Sequence, residues 1–329
     1  MPLNVFLVKH LKMLPKVSII INCHNGAQFL NECIDSIFNQ TSSDWEIIFW
    51  DNVSTDNSLD IAKSYGSKIR FFASETLLSL GQARRLAMQE ARGEFIAFID
   101  TDDIWLEDHL AIQVSFMESK SYLASYAGIQ EIDSEGVVIR NVIPEFSSGP
   151  QLRNILRQFE INVPTMMLHR SLIVDYGFLF NPSILIVEEF ELFVRIAVDH
   201  NIGVIHEVLA QYRVHHGGLT QSTPLIAAKE RNSILKQLIN DRPQVYEKYK
   251  DDFSAAFARS AYYKARAYAE RGDMFKARDV FSNYKYDNLV YFLIYLTFWF
   301  PKKIWKNLNL DDLKRIPIIS GIIKKLIKI

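Results

Sequence analysis

Between residues 17 and 123, short apolar runs alternate with stretches whose apolar positions recur at helical spacing. Residues 17–22 are a β-branched run closed by Asn22, His24, Asn25 and Gly26, and Phe29, Ile34, Ile37 and Phe38 follow at helical spacing. Residues 46–50 predict a second strand, closed by D-N-V-S-T-D-N, and residues 69–72 a third. Residues 82–91 are a good helix former ended by Gly93, and residues 94–99 predict a fourth strand that runs into Asp100, Thr101, Asp102 and Asp103. This alternation predicts a largely parallel, twisted sheet with helices on both faces. Ligands of such sheets bind beyond the carboxyl ends of the strands, where the polar clusters after strands one, two and four all fall.

Residues 124–220 are mixed, with a hairpin predicted around Asp133-Ser134-Glu135-Gly136 and a helix over residues 188–200. Beyond Thr220 the pattern becomes helical. Ala261, Ala265, Ala269, Phe275, Ala277 and Phe281 around Gly272-Asp273 predict a helical hairpin, similar to a single tetratricopeptide unit. The expected organisation is an α/β domain over 1–222, a helical extension over 223–286 and an aromatic, basic tail over 287–329.

Composition adds limits. A chain of 329 residues, 49% apolar, buries a sizeable core and is not disordered. Cys23 and Cys33 are too few for a disulfide framework or a four-ligand zinc site and read as small buried hydrophobes. The net charge of −1 hides an asymmetry: residues 301–329 carry eight Lys or Arg against Asp311 and Asp312, a tail of +6 on a body of −7. The chain is not uniformly basic, and no nucleic-acid partner is expected. No secretory signal is evident, and the longest apolar run, residues 289–300, is too short to span a bilayer. Its aromatic rings and the lysines beyond it suit an anionic membrane surface. The alternative packs this run on the helical hairpin or into an oligomer interface. The expected location is cytoplasmic, peripheral to the inner face of the cell membrane.

Three carboxylates within Asp100–Asp103 repel one another, a conflict that a divalent cation such as Mg²⁺ or Mn²⁺ removes. Acidity at a helix start is the structural alternative. Glu188 and Glu189 open a helix that also carries Glu191 and Arg195, whose i,i+4 spacing equally suits a plain ion pair.

These segments together resemble the inverting glycosyltransferases of family 2. V-S-I-I-I-N-C-H-N-G-A-Q-F-L-N-E-C-I-D-S-I-F-N-Q-T, W-D-N-V-S-T-D-N-S and G-Q-A-R-R-L-A-M-Q-E-A-R-G-E-F-I-A-F-I-D-T-D-D match ordered motifs of the family, as do the acidic pair at Glu188 and the Y-R-V-H segment at residues 212–215. The resemblance covers about residues 16–220 and implies a GT-A fold. It implies that Asn22, His24 and Asn25 border the nucleotide, with Asp51 and Asn52 near base and ribose. Asn52 stands where the family often has Asp, and its amide can present a donor and an acceptor to a pyrimidine edge. Arg84 would meet the diphosphate, Asp102 would be the main metal ligand, with Asp100 contacting the ribose or the metal and its waters and Asp103 supporting, and Thr101 would lie beside the donor. Arg213 or His215 would reach the diphosphate or close over the donor. Glu189 falls where the family's catalytic base, usually Asp, sits, with Glu188 beside it.

The implied function is metal-dependent, inverting transfer from a nucleotide-diphosphate sugar, a UDP-sugar being favoured. A lipid-linked or surface-polysaccharide saccharide is the expected acceptor. The rival reading is a membrane-bound scaffold that keeps the fold without turnover.

Overall fold

The computed structural model describes residues 14–215, 223–285, 287 and 289–305. The chain divides into two compact units, Met1–Ile155 with Phe159–His216, and Leu156–Gln158 with Gly217–Ile329.

The first unit is built on one nine-stranded sheet of order β3-β2-β1-β4-β8-β6-β9-β5, with β7 paired to β6. Its opening half runs β1 (Val17–Cys23), α1 (Leu30–Phe38), β2 (Trp45–Asp51), α2 (Ser58–Ser64), β3 (Ile69–Ala73), α3 (Leu80–Gln89) and β4 (Phe95–Asp100). All three pairings among these four strands are parallel. The central position of β1 leaves both its faces covered, which is why Val17, Ile19, Ile20 and Ile21 are all at most 1% exposed. Helix α1 buries Leu30, Cys33, Ile34 and Ile37; of the positions expected from spacing, Ile34 and Ile37 are buried and Phe38 is 38% exposed.

The second half is β5 (Ile104–Trp105), α4 (His109–Lys120), β6 (Ala124–Ile132), β7 (Val138–Val142), α5 (Leu152–Arg157), β8 (Met167–His169), α6 (Ser171–Val174), α7 (Glu188–Asp199) and β9 (Ile202–Arg213). The hairpin expected at residues 133–136 joins β6 to β7. Here the sheet departs from the parallel expectation: β8 runs antiparallel to β4 and β6, and β5 antiparallel to β9, while β6 and β9 are parallel. Strands of two and three residues carry too few positions for any periodicity to announce them.

The second unit contains α8 (Pro224–Asp241), α9 (Pro243–Lys248), α10 (Lys250–Glu270), α11 (Met274–Phe281), α12 (Leu289–Thr297) and α13 (Lys302–Trp305). Helices α10 and α11 form the expected hairpin around Gly272, whose φ of +88° suits glycine. The Asp273 side chain caps α11 by accepting from the Lys276 amide. Ala261, Ala265, Ala269 and Ala277 admit Phe281, Ile294, Phe298 and Trp305 into one small core. The run after residue 289 therefore does pack on the hairpin, along one of its faces. Residues 306–329, which carry most of the basic tail, lie outside the described residues. Among the described residues no helix is long and apolar enough to cross a membrane.

Candidate active site

Parallel register sets the floor of the site. Asn22 lies opposite Trp50 in β2 and opposite Asp100 in β4, so the three share one face at the carboxyl ends of their strands. Both polar atoms of the Asn22 amide are buried without a hydrogen-bond partner. A buried amide left in that state costs free energy that a polar ligand would recover.

The loop after β1 and the loop after β2 are sewn together. Asn25, in the left-handed region at φ 54°, accepts from the Thr55 amide at 2.7 Å, and its own amide donates to Ser54 Oγ at 3.0 Å. Gly26 N–H donates to Ser58 Oγ, and a Cβ at Gly26 would sit 2.7 Å from Thr101 Oγ1. His24 is exposed and its Nδ1 lies 2.8 Å from the Asn52 carbonyl. Asp51 is buried, accepting from the Ser54 amide. The Asn52 side-chain amide donates to the Leu78 carbonyl at 2.9 Å and accepts from the Leu78 N–H at 3.0 Å. One N–H and one lone pair of the side chain are thus engaged by main chain, and Asn52 holds the loop before α3.

Asp100, Asp102 and Asp103 separate in role. β5 pairs antiparallel with β9, Ile104 opposite Gln211, and continuing that register puts Arg213 opposite Asp102. Arg213 donates its N–H to Asp103 Oδ1 at 3.0 Å, Nε to the Asp102 carbonyl at 3.0 Å, and an Nη to Glu32 Oε2 at 2.7 Å. Its guanidinium also stacks over Phe29, 4.4 Å from the ring centroid. Arg213 is thus a buried brace behind the aspartates, where the resemblance implied that it or His215 reaches the diphosphate or closes over the donor. Burial, then Asp102 and Asp100, push the Asp103 carboxyl well above the usual range. Burial and Asp100 likewise raise Asp102, against the pull of His215.

Arg84 is also withdrawn from the diphosphate contact expected of it. Arg84 is 2% exposed, and its guanidinium bridges Asp100 Oδ1 and Glu188 Oε1, each at 2.6 Å. The start of α3 makes room for this, since Gly81 lies against Glu188 so closely that a Cβ would meet the Glu188 Cβ at 3.2 Å. Burial and the adjacent Glu189 push the Glu188 carboxyl upward, opposed by Arg84. Glu189 is partly exposed on the first turn of α7. Glu191 and Arg195 form the i,i+4 pair foreseen from spacing, at 2.7 Å.

A divalent cation fits the donor set at Asp100 and Asp102. Arg84 holds one oxygen of Asp100, and His215 Nε2 lies 2.9 Å from one oxygen of Asp102, so each carboxylate keeps a second oxygen outside these bonds. No group of three His, Cys, Asp or Glu side chains poised for a metal occurs among the described residues. Mg²⁺ and Mn²⁺ sites that rely on one or two carboxylates and substrate phosphates need no such cage. Glu32, Phe29 and Leu78 belong to the site's framework and carried no signal in the sequence, because their partners lie on other elements.

This sheet and its aspartate-bearing edge define a GT-A glycosyltransferase fold, and residues 18–177 match the model of glycosyl transferase family 2. The chain carries a family 2 glycosyltransferase domain. It is 31% identical over 228 residues to an uncharacterized glycosyltransferase of Rickettsia felis, covering 69% of this chain and 37% of that one. The chain thus spans well under half the length of that relative. It is 28% identical over 209 residues to the Escherichia coli UDP-Glc:alpha-D-GlcNAc-diphosphoundecaprenol beta-1,3-glucosyltransferase WfgD, covering 63% of this chain and 80% of WfgD. The mannosyltransferase PcManGT of Pyrobaculum calidifontis, solved with GDP-Man and Mn²⁺, superposes with a TM-score of 0.59 at 16% identity, covering 89% of this chain and 84% of that one.

Proposed function

We propose that this chain transfers a sugar, with inversion, from a nucleotide-diphosphate donor to an acceptor hydroxyl. The observation that carries the reading is the convergence at one sheet edge of Asp100, Asp102 and the unpartnered Asn22 amide, with Glu188 and Glu189 brought to them by Arg84. Asp102 and Asp100 would hold a divalent cation, which when bound offsets negative charge on the departing nucleotide. Asn22 and the loops at Asn25 and Asp51 would seat the nucleotide. Glu189 would accept the proton of the attacking hydroxyl, since a partly exposed carboxylate can reach an incoming acceptor. Arg84 and Arg213 would act as positioning residues that keep the carboxylates in place.

A UDP-sugar is the favoured donor and a lipid-linked saccharide the favoured acceptor, by analogy with the substrates in the name of WfgD. An anionic membrane surface would meet the C-terminal tail, peripheral to the cytoplasmic face.

The test is nucleotide release from UDP-glucose, UDP-N-acetylglucosamine and GDP-mannose with and without Mn²⁺. Metal-dependent release, lost in Asp102→Ala with the fold intact, supports the reading. Glu189→Gln should lower acceptor-dependent turnover by about 10²–10⁴-fold while donor binding persists. Binding of none of the three donors would leave the non-catalytic scaffold in its place.

A further inference from the structure

Helix α12 and the turns after it divide their side chains between two faces. Tyr291, Ile294, Tyr295 and Phe298 turn toward α10 and α11, with Ile294 at 5% and Phe298 at 0% exposure. Phe292, Leu293, Leu296, Trp299 and Phe300 point the other way and are 38, 53, 40, 61 and 44% exposed. At helical spacing these five fall within an arc of roughly 120°. The helix itself, L-V-Y-F-L-I-Y-L-T, contains no charged residue.

A helix docked on a soluble protein ordinarily turns a polar face outward. Here the outward face is apolar and its border is basic. The Arg278 guanidinium lies 4.5 Å from the Trp299 ring centroid, and Lys302 and Lys303 follow directly, with Ile304 47% exposed beside them. In sequence the basic excess continues, eight Lys or Arg against two Asp from residue 301 onward. Exposed aromatic rings edged by cations are the composition of a helix lying in a headgroup layer.

We propose that the outward face of α12, continued by Trp299, Phe300 and Ile304, seats in the interfacial region of an anionic lipid bilayer. This deepens the membrane partner proposed above by naming the side chains that enter, and it does not depend on the transfer reaction. Charge selects the bilayer over a second copy of the chain. In a two-fold contact through this face, Arg278, Lys302 and Lys303 would find no counter-charge on the second copy's α12, which carries no charged residue. Anionic headgroups meet the same border with opposite charge.

The full chain should co-sediment with vesicles of phosphatidylcholine and phosphatidylglycerol, and far less with phosphatidylcholine alone. Phe292→Ser with Leu296→Ser and Trp299→Ser should weaken that partition at least about tenfold, because it removes the apolar contact of an interfacial helix. Lys302→Glu with Lys303→Glu should weaken it only toward the anionic vesicles. Brominated lipid should quench tryptophan emission in the native chain, and Trp299→Phe should abolish most of that quenching without abolishing binding. UDP binding measured on the same samples keeps the fold, and the catalytic reading, separate from the outcome. Unchanged partition in the triple variant overturns the proposal, as does quenching that survives Trp299→Phe. A lipid-free dimer that the triple variant turns into a monomer overturns it too, and assigns the face to a second copy.

Discussion

Arg84 and Glu188 stand 104 positions apart in the chain and 2.6 Å apart in the fold, each side chain 3% exposed. The same guanidinium holds Asp100, so one cation ties the carboxyl end of β4 to the start of the helix that bears Glu189.

Removing that cation leaves two carboxylates without their shared counter-charge. Arg84→Met should destabilise the protein by about 3–5 kcal/mol, the usual cost of breaking a buried pair from one side. Arg84→Lys should recover only part of this, because an ammonium cannot match a planar fork that reaches two carboxylates. In Arg84→Met, adding Glu188→Gln should return part of the loss by neutralising one stranded charge. Urea denaturation of the four proteins measures each term.

Asn52→Asp, which restores the residue common in the family, should be harmful here. A carboxylate cannot donate to the Leu78 carbonyl, so one bond is lost and two acceptors face each other. The expected cost is about 1–3 kcal/mol in denaturation. Calorimetric UDP titration should show no gain in affinity, since the side chain faces the loop before α3.

Gly26 is fixed by proximity. In Gly26→Ala the new methyl would lie 2.7 Å from Thr101 Oγ1 and 2.9 Å from its Cβ, pushing the first loop off the aspartate segment. UDP affinity should fall, and Thr101→Gly in the same chain should restore much of it. Failure of the second change to restore binding would mean that the contact does not position the loop.

His109 makes the fold acid-sensitive. The imidazole is fully buried, stacked on Trp105 at 4.2 Å, and burial lowers its pKa to about 4 despite a bond to the Leu209 carbonyl. In the unfolded chain it takes a proton below about pH 6.5, so across pH 6.5 to 4 the unfolded state binds more protons and stability falls as pH falls. The contribution is about 3 kcal/mol over that window. His109→Gln should remove this component, flattening the dependence of the denaturation midpoint on pH between 6.5 and 4.

What was legible in the chain follows from how far each signal reaches. The β1–β4 half was readable because strands buried on both faces must be apolar throughout, and helices over them must be amphipathic. The acidic clusters were readable because like charges adjacent in sequence demand an explanation wherever they are placed. Residue roles within the site were less so. Arg84, Arg213 and Asn52 were expected to face the donor because basic and amide groups suit phosphates and bases, yet each is engaged by protein partners on other elements. Nothing in a one-dimensional pattern distinguishes a cation that awaits an anion from one that already has two.

The sequence by itself determined the alternation of strand and helix, the edge where polar loops gather, and the separation of an acidic body from a basic tail. Those properties are local: they depend on the period of burial and on neighbours in the chain. Only the tertiary structure decided that two-residue β5 turns back along β9 and sets Arg213 behind Asp102. It alone decided that Asn52 clamps Leu78, and that the outward half of α12 is left uncovered. These outcomes rest on strand order and register, which bring together side chains up to 181 positions apart, and a hydrogen bond forms only where geometry closes within about 3 Å.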